Sequence, residues 1–372
     1  MTLSEITRAA LLFVLFALGS FSCSIASEAA NTAILRESGR LPDFIAELAS
    51  KKYLLRAEAS DSRPYVEPGT SLHAFRHLAQ ELAWGDVDRA ARLAAQVDYQ
   101  LVQFTDERTG AIYYALREDL SQVAAIRGWG SYLFQPHGQV DAIIEIPHPL
   151  ADERTIEAGG EIFELSDAKG LLLAGAHRDK ADVPDLVDSA FHQVHMAWVG
   201  PLGRLAAWQI HGFDAQKHEF PRHVSVVAST GDGGVGSEIV ELDRMLEKRG
   251  LPSYVFNDLT PESRANRRLN GGIPGVTFTA LAATQNEQGR YCRSVGGSFV
   301  HVELDGAIRR DRESRQFAAT AIADAIRRAA REGVDRGPIV SLASFIPDPT
   351  AGVRTSDRRS SAGMEATATT LK

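Results

Sequence analysis

Cysteine is almost missing from this chain of 372 residues, which has only Cys23 and Cys292. Cys23 falls inside an apolar leader, so Cys292 stands alone beyond it. One cysteine makes no internal disulfide, and the fold must rest on its own core. Long hydrophobic runs are missing as well. The run from Ala9 to Leu18 is too short to cross a bilayer core of roughly 30 Å as a helix, and no second run is long enough to span a membrane. There is no surplus of positive charge: the formal net charge is −8, with both signs spread along the chain. That argues against a nucleic-acid footprint. No GxSxG occurs, so a nucleophilic-serine hydrolase has little support.

What is present begins with the leader. Arg8 precedes the apolar run, small residues follow at Ser20, Ser22, Ser24 and Ala26, and Ser24-Ile25-Ala26 reads as a small-x-small cleavage site. Residues 1–30 are therefore expected to be a signal peptide, leaving a secreted or periplasmic protein. A lipid anchor on Cys23 is the alternative, which Ser20-Phe21-Ser22 suit poorly. Residues 31–125 are expected to be a helical region with a hairpin. Helical spacing recurs around Leu41–Ile45, Leu72–Leu82 and Val87–Val97, and Tyr99–Phe104 alternates, turns over Asp106–Gly110 and returns over Ala111–Leu116.

From 126 to 345, short apolar strands alternate with helices. Strands are expected at Tyr132–Phe134, Val140–Ile146, Leu171–Ala174, Leu205–Ile210, Val224–Ala228, Tyr254–Phe256, Val276–Ala280 and Phe299–Leu304. Helices are expected near 153–165, 185–198, 235–249 and 312–332. Such alternation predicts an α/β fold, a mixed central sheet with helices on both faces. The stretch 346–372 has few large apolar residues and reads as a disordered tail.

Reactive residues gather where strands end. After Val140–Ile146 comes a Pro-flanked His148, followed by Asp152 and Glu153. The prolines fix the direction in which the histidine leaves the sheet, and a carboxylate one short loop later can fold back beside it. Histidine nitrogen and carboxylate oxygen are ordinary zinc ligands at about 2.0–2.2 Å. The plainer reading is that the two acids cap and charge a helix N-terminus. The strand Leu205–Ile210 also ends in a histidine, His211, followed by Gly212. Glycine permits a tight turn beside the imidazole. His211 would add a third ligand and leave a coordination position open. On the strand Phe299–Leu304, Phe299, His301 and Glu303 share one face at period two. A glutamate buried there is costly unless paired or functional. It would serve as a proton acceptor, or else pair with Arg309 or Arg310. Arg178, beyond Leu171–Ala174, would hold a substrate carboxylate or polarise the scissile carbonyl, unless it is a surface arginine.

Two other patterns compete. Gly231-Asp232-Gly233-Gly234-Val235-Gly236 is a GxGxxG between a strand and a helix, with Asp258 at about the distance of a ribose-binding acid. It would support a nucleotide-dependent oxidoreductase, bind an anionic group, or be a simple Gly-rich turn. His192 and His195, with Asp188, could coordinate a metal, or lie on a solvated helix face.

Taken together, the segments HPLADE from His148, IHGF around His211 and HVELDGAIR from His301 resemble the zinc carboxypeptidase-like amidohydrolases, including poly-γ-glutamate hydrolases and N-formylglutamate amidohydrolases. The resemblance covers about residues 140–330. It implies a phosphorylase/hydrolase-like mixed-sheet fold and one zinc held by His148, Glu153 and His211. It also implies Glu303 as the catalytic residue and places Arg309 on the family's arginine, so that Arg309 joins Arg178 as a candidate for the substrate. Here Pro149, Leu150 and Ala151 replace the family's glycines, and Asp152 competes with Glu153 for the ligand role. The expected function is hydrolysis of an amide or peptide bond in a peptide, γ-glutamyl or N-acyl amino acid substrate. No nucleic-acid partner and no membrane span are expected. The alternatives are the oxidoreductase and a non-catalytic binding protein on the same fold.

Overall fold

The computed structural model describes residues 34–334, apart from 58–59, 201–204, 219–223, 261–262 and 270–280. The expected signal peptide, the C-terminal tail and the strand Val276–Ala280 lie outside the described residues. Ten strands form one mixed sheet in the order β1-β2-β3-β4-β6-β5-β7-β10-β8-β9. At its centre β6 (Ala168–Leu173), β5 (Val140–Ile146), β7 (Ala206–Phe213) and β10 (Phe299–Asp305) run parallel to one another. These strands are buried along almost their whole length; β6 reads accordingly as an apolar run, while β7 and β10 alternate apolar with buried polar residues. On one side β4 (Ser131–Phe134) pairs antiparallel with β6, and on the other β8 (Val226–Ser229) pairs antiparallel with β10. The short β9 (Ser253–Val255) lies parallel to β8 at the edge.

The hairpin of β2 (Tyr99–Asp106) and β3 (Ile112–Glu118) continues this same sheet, because β3 pairs with β4. The change of texture near residue 125 therefore falls within one sheet. At the far edge lies β1 (Leu35–Gly39), parallel to β2. Its sequence, LRESG, has no apolar alternation and its side chains are mostly exposed, so pairing with β2 rather than burial makes it a strand.

Helices cover both faces. On one face sit α1 (Leu41–Leu48), α4 (Thr155–Ser166), α6 (Ser237–Lys248) and α10 (Arg312–Val334), packed on Ile144, Ile146, Trp208, Ile210 and Val302. On the other sit α2 (Ser71–Trp84), α3 (Val87–Gln96), α5 (Ala190–Val199) and α8 (Glu287–Ser294), packed on Ile143, Leu172, Ala207 and Phe299. The starts have local causes. Pro42 and Asp43 open α1. The side chains of Asp86, Ser189 and Asn286 accept backbone N–H bonds at the starts of α3, α5 and α8. The helix α8 has no apolar period to announce it. It forms because Asn286 caps it and Gly289 lets it lie against the ring of Phe299. Two more short helices, α7 (Arg264–Leu269) and α9 (Gly306–Arg310), complete the described set. No described helix is long and apolar enough to cross a membrane.

The contact between α5 and the sheet is tight at Gly170. A Cβ there would lie 2.9 Å from the Trp198 ring and 2.8 Å from Ile143. Gly170→Ala should cost about 1–3 kcal/mol, read as a lower urea midpoint with an unchanged slope. An unchanged midpoint would mean that the α5 layer is not packed this closely.

Candidate metal centre and its surroundings

The parallel strands β5, β7 and β10 end side by side, and in-register pairing sets what meets there. Glu145 lies opposite Gln209, Gln209 opposite His301, and His211 opposite Glu303. All five side chains are on the α5–α8 side of the sheet, since they share parity with Ile143, Ala207 and Phe299. His148 comes two residues after β5. From there the chain makes one helical turn, with the Asp152 N–H bonded to the His148 carbonyl at 3.0 Å. A helical turn puts residues i and i+4 on one side, so Asp152 comes back beside His148.

The result is a buried cluster of His148, Asp152 and His211 that could hold a metal ion. Nδ1 of His148 lies 3.3 Å and Nδ1 of His211 lies 3.4 Å from the same oxygen, Oδ2 of Asp152. That oxygen also accepts the Gly212 N–H at 3.1 Å. The outer nitrogen of each ring has a partner: His148 Nε2 meets Asp182 Oδ1 at 2.7 Å, and His211 Nε2 meets Gln209 Oε1 at 2.9 Å. Both acceptors anchor the ring from outside and aim the inner nitrogen at Asp152, the usual orientation of a histidine ligand. His148 Nδ1 is buried with no hydrogen-bond partner. Two imidazole nitrogens and a carboxylate oxygen are a donor set that suits zinc.

A second set, His211, His301 and Glu303, is adjacent. It shares His211 with the first, and the inner nitrogen of that ring serves one ion only. His301 Nδ1 and Glu303 Oε2 are both buried without a hydrogen-bond partner. His301 Nε2 stands 3.6 Å from Glu303 Oε1, beyond a good hydrogen bond. Among the described residues no acceptor anchors His301, so the first set is the better prepared.

The electrostatics are uneven. Burial pushes His148 down, but the carboxylates of Asp152 and Asp182 outweigh it and raise the ring to about 9. Burial likewise opposes ionisation of Asp152, and the two imidazoles beside it hold it well below the carboxylate range. Burial lowers His211 and holds His301 far below the ordinary histidine value. Glu303 is raised to about 8, first by burial and then by the negative Asp152. A glutamate so placed is suited to take up a proton near neutrality.

Several expected roles move. Glu153 is not beside the histidines. One position further round the turn, its side chain is 60% exposed and 3.7 Å from Arg310. Asp152 takes the inner position instead. Arg309 is not available to a substrate. It is buried, its Nε donates to the Leu304 carbonyl at 3.0 Å and Nη2 to the Phe213 carbonyl at 3.1 Å, and Nη1 donates to the Glu153 carbonyl. Gly212 makes no turn, because it lies within β7. Its missing side chain admits Arg309: a Cβ there would stand 2.3 Å from the guanidinium carbon. Arg178 does reach the cluster, through Asp182, whose Oδ2 accepts from Nη2 at 3.0 Å, and its side chain is 47% exposed. His192 and His195 are buried, contrary to a solvated helix face, and join no three-ligand group among the described residues.

Sequence reasoning missed Asp182 and Gln209. Gln209 could have been found from the period of the strand, two residues before His211. Asp182 lies in a loop and had no such signal. The glycine turn 231–236 does join β8 to α6, but Asp232 Oδ1 already accepts the Gly234 N–H at 2.9 Å. A pyrophosphate there would face that carboxylate. A cavity of about 390 Å³ lined by Arg40, Arg108, Glu161 and Arg315 lies on the α1–α4–α10 face and contains none of the site residues.

No protein-family model matches the chain, and no curated protein does. Among solved structures it is similar to N-formylglutamate amidohydrolase from Ralstonia eutropha, at 12% identity and a TM-score of 0.33 over 57% of this chain and 100% of that one. It is similar to a metallo-carboxypeptidase from Burkholderia cenocepacia, at 11% identity and a TM-score of 0.31 over 73% of this chain and 70% of that one. A metallo-carboxypeptidase from Pseudomonas aeruginosa matches at 11% identity and a TM-score of 0.27, over 60% and 61% of the two chains.

The raised Glu303 makes a signed prediction for the metal-free protein. Its folded value, about 8, lies above the ordinary 4.5, so the folded state holds a proton that the unfolded chain releases. This group's contribution to stability is therefore whole below pH 4.5 and is lost as the pH rises to about 8. Unfolding of the wild type and Glu303→Gln in urea with chelator should show the gap in favour of the variant widening across that window. A gap independent of pH would mean that the carboxyl group is solvated.

Proposed function

We propose that this protein is a zinc-dependent hydrolase that cleaves an amide or peptide bond. The observation that carries the reading is the convergence of the two Nδ1 atoms on Asp152 Oδ2, each ring anchored from outside by Asp182 or Gln209. His148, Asp152 and His211 would hold the metal. When bound there, zinc supplies a Lewis acid and lowers the pKa of water toward about 7.

The remaining roles belong to the chain. Glu303, with Oε2 free of any hydrogen bond and a pKa raised to about 8, takes the proton from the attacking water and returns it to the leaving amine. Arg178, half exposed beside Asp182, holds a substrate carboxylate or the oxyanion. Arg309 acts as a brace: it joins the ends of β7 and β10 to the turn that carries Asp152. Peptides, γ-glutamyl chains and N-acyl amino acids are the substrate classes with a carboxylate for Arg178. Export is part of the same proposal, on the leader of residues 1–30. Mass spectrometry of protein released by a secreting host should find an N-terminus at Ser27, and a retained leader would overturn it.

Elemental analysis of the purified chain should find about one zinc. Asp152→Asn and His211→Ala should lose it, while Glu153→Gln should keep it. Glu303→Gln should also keep it and lower kcat on an N-acyl amino acid or peptide by about 10²–10⁴-fold. No zinc in the wild type after adding it back would sink the hydrolase. Zinc in the wild type with no turnover across these substrates would favour a binding protein.

A further inference from the structure

Behind the metal centre lies a buried polar row that the proposed reaction does not use. Glu145, next to the last residue of β5, and His195, on α5, are both fully enclosed, with His195 Nδ1 at 2.7 Å from Glu145 Oε1. A carboxylate in the centre of a sheet is expensive unless both oxygens are matched. The other oxygen, Oε2, accepts from Gln209 Nε2 at 3.0 Å. That bond decides which way the Gln209 amide faces. Its NH2 is held by the carboxylate, and its Oε1 must turn the other way, where Asn286 Nδ2 donates to it at 2.6 Å. A flipped amide would place its oxygen against the Glu145 carboxylate and its NH2 against the NH2 of Asn286. The same Oε1 is the partner of His211 Nε2 at 2.9 Å. An amide oxygen only accepts, so His211 must carry its proton on Nε2 and keep Nδ1 bare toward Asp152.

We propose that Glu145, paired with His195, is a positioning residue: it fixes the Gln209 amide and through it the tautomer of His211. The inference rests on the reading of His211 as a metal ligand, but its first consequence is a property of the metal-free chain. His195 supplies the matching charge. Burial opposes its protonation, and the carboxylate of Glu145 overcomes this and raises the ring to about 10. A leucine at position 145 removes both acceptor oxygens. Gln209 Nε2 then keeps only the long 3.4 Å contact to Gln288 Oε1, so the Gln209 amide becomes free to flip, whereas a glutamine could still accept from Gln209 and donate to a neutral His195. Asn286 also caps α8 through the Gly289 N–H, at 2.9 Å, so the amide is held from the helix layer as well as from the strand.

The test uses the full chain with nitrogen-15 histidine, stripped of metal. The wild type should show His211, identified by the signal lost in His211→Ala, as a single Nε2–H tautomer. Glu145→Leu should show a mixture or an exchange-broadened pair. In competition with a chromophoric chelator, Zn2+ should bind Glu145→Leu and Gln209→Leu about 10–100-fold more weakly than the wild type. The double variant should be no weaker than Gln209→Leu alone, because Glu145 acts only through Gln209. Leu242→Ala, which opens a cavity on the opposite face of the sheet, controls for lost stability and should leave Zn2+ affinity unchanged. An unaltered His211 tautomer in Glu145→Leu would overturn the proposal, and so would losses that add in the double variant. If the wild type binds no zinc, the proposed function fails, and the tautomer spectra still decide this inference.

Discussion

The in-register parallel pairing of β5, β7 and β10 is the constraint on which everything else at the site depends. Parallel strands put their carboxyl ends at one edge, and period-two geometry then sorts the side chains. Even positions on these strands go to the apolar layer of α4, α6 and α10. Odd positions form polar rows facing α5 and α8, with Glu145, Gln209 and His301 in one row and His211 and Glu303 in the next. A slip of one residue in β7 would send Gln209 and His211 into the apolar layer and Trp208 and Ile210 into the polar one. The hydrophobic pattern thus enforces the register, and the register places the donors.

The polar interior is held by matched acceptors rather than by solvent. Most buried groups have a named partner; of those among the described residues that do not, His148 Nδ1, His301 Nδ1 and Glu303 Oε2 belong to the two metal-ligand groups, while Tyr65, Arg76, Ser131 and Glu161 each leave one atom unmatched elsewhere. Buried polar atoms left unpaired are costly. The meeting of three such atoms in one place supports the proposed metal site, where burial and neighbouring charge push two carboxyl groups apart, Asp152 down and Glu303 up.

Much of this was legible in the residues. Strands buried on both faces announce themselves as apolar runs, and β5 was bounded without error, because Pro147 and Pro149 end it chemically. His148, His211 and Glu303 were visible as polar interruptions at strand ends. What escaped had no periodic signal. The choice between Asp152 and Glu153 depends on whether the loop after His148 is extended or helical, and one turn of helix leaves no amphipathic trace. Arg309 resembled a substrate arginine because its carbonyl partners are backbone atoms brought from Glu153, Phe213 and Leu304, which no side-chain pattern records. The strand β1 and the helix α8 likewise owe their form to a neighbour and a cap, not to composition.

The reach of Arg309 also sets an order of events in time. The turn bearing Asp152 is tied, through the Glu153 carbonyl, to a guanidinium that enters the chain far later, and the same side chain closes over Gly212 beside His211. During synthesis, His148, Asp152 and His211 all emerge before the residue that clamps them in place. On the proposed function, the three ligands would reach their final geometry only once α9 has docked, so the ion would be taken up by the folded protein rather than by the growing chain, wherever folding is completed.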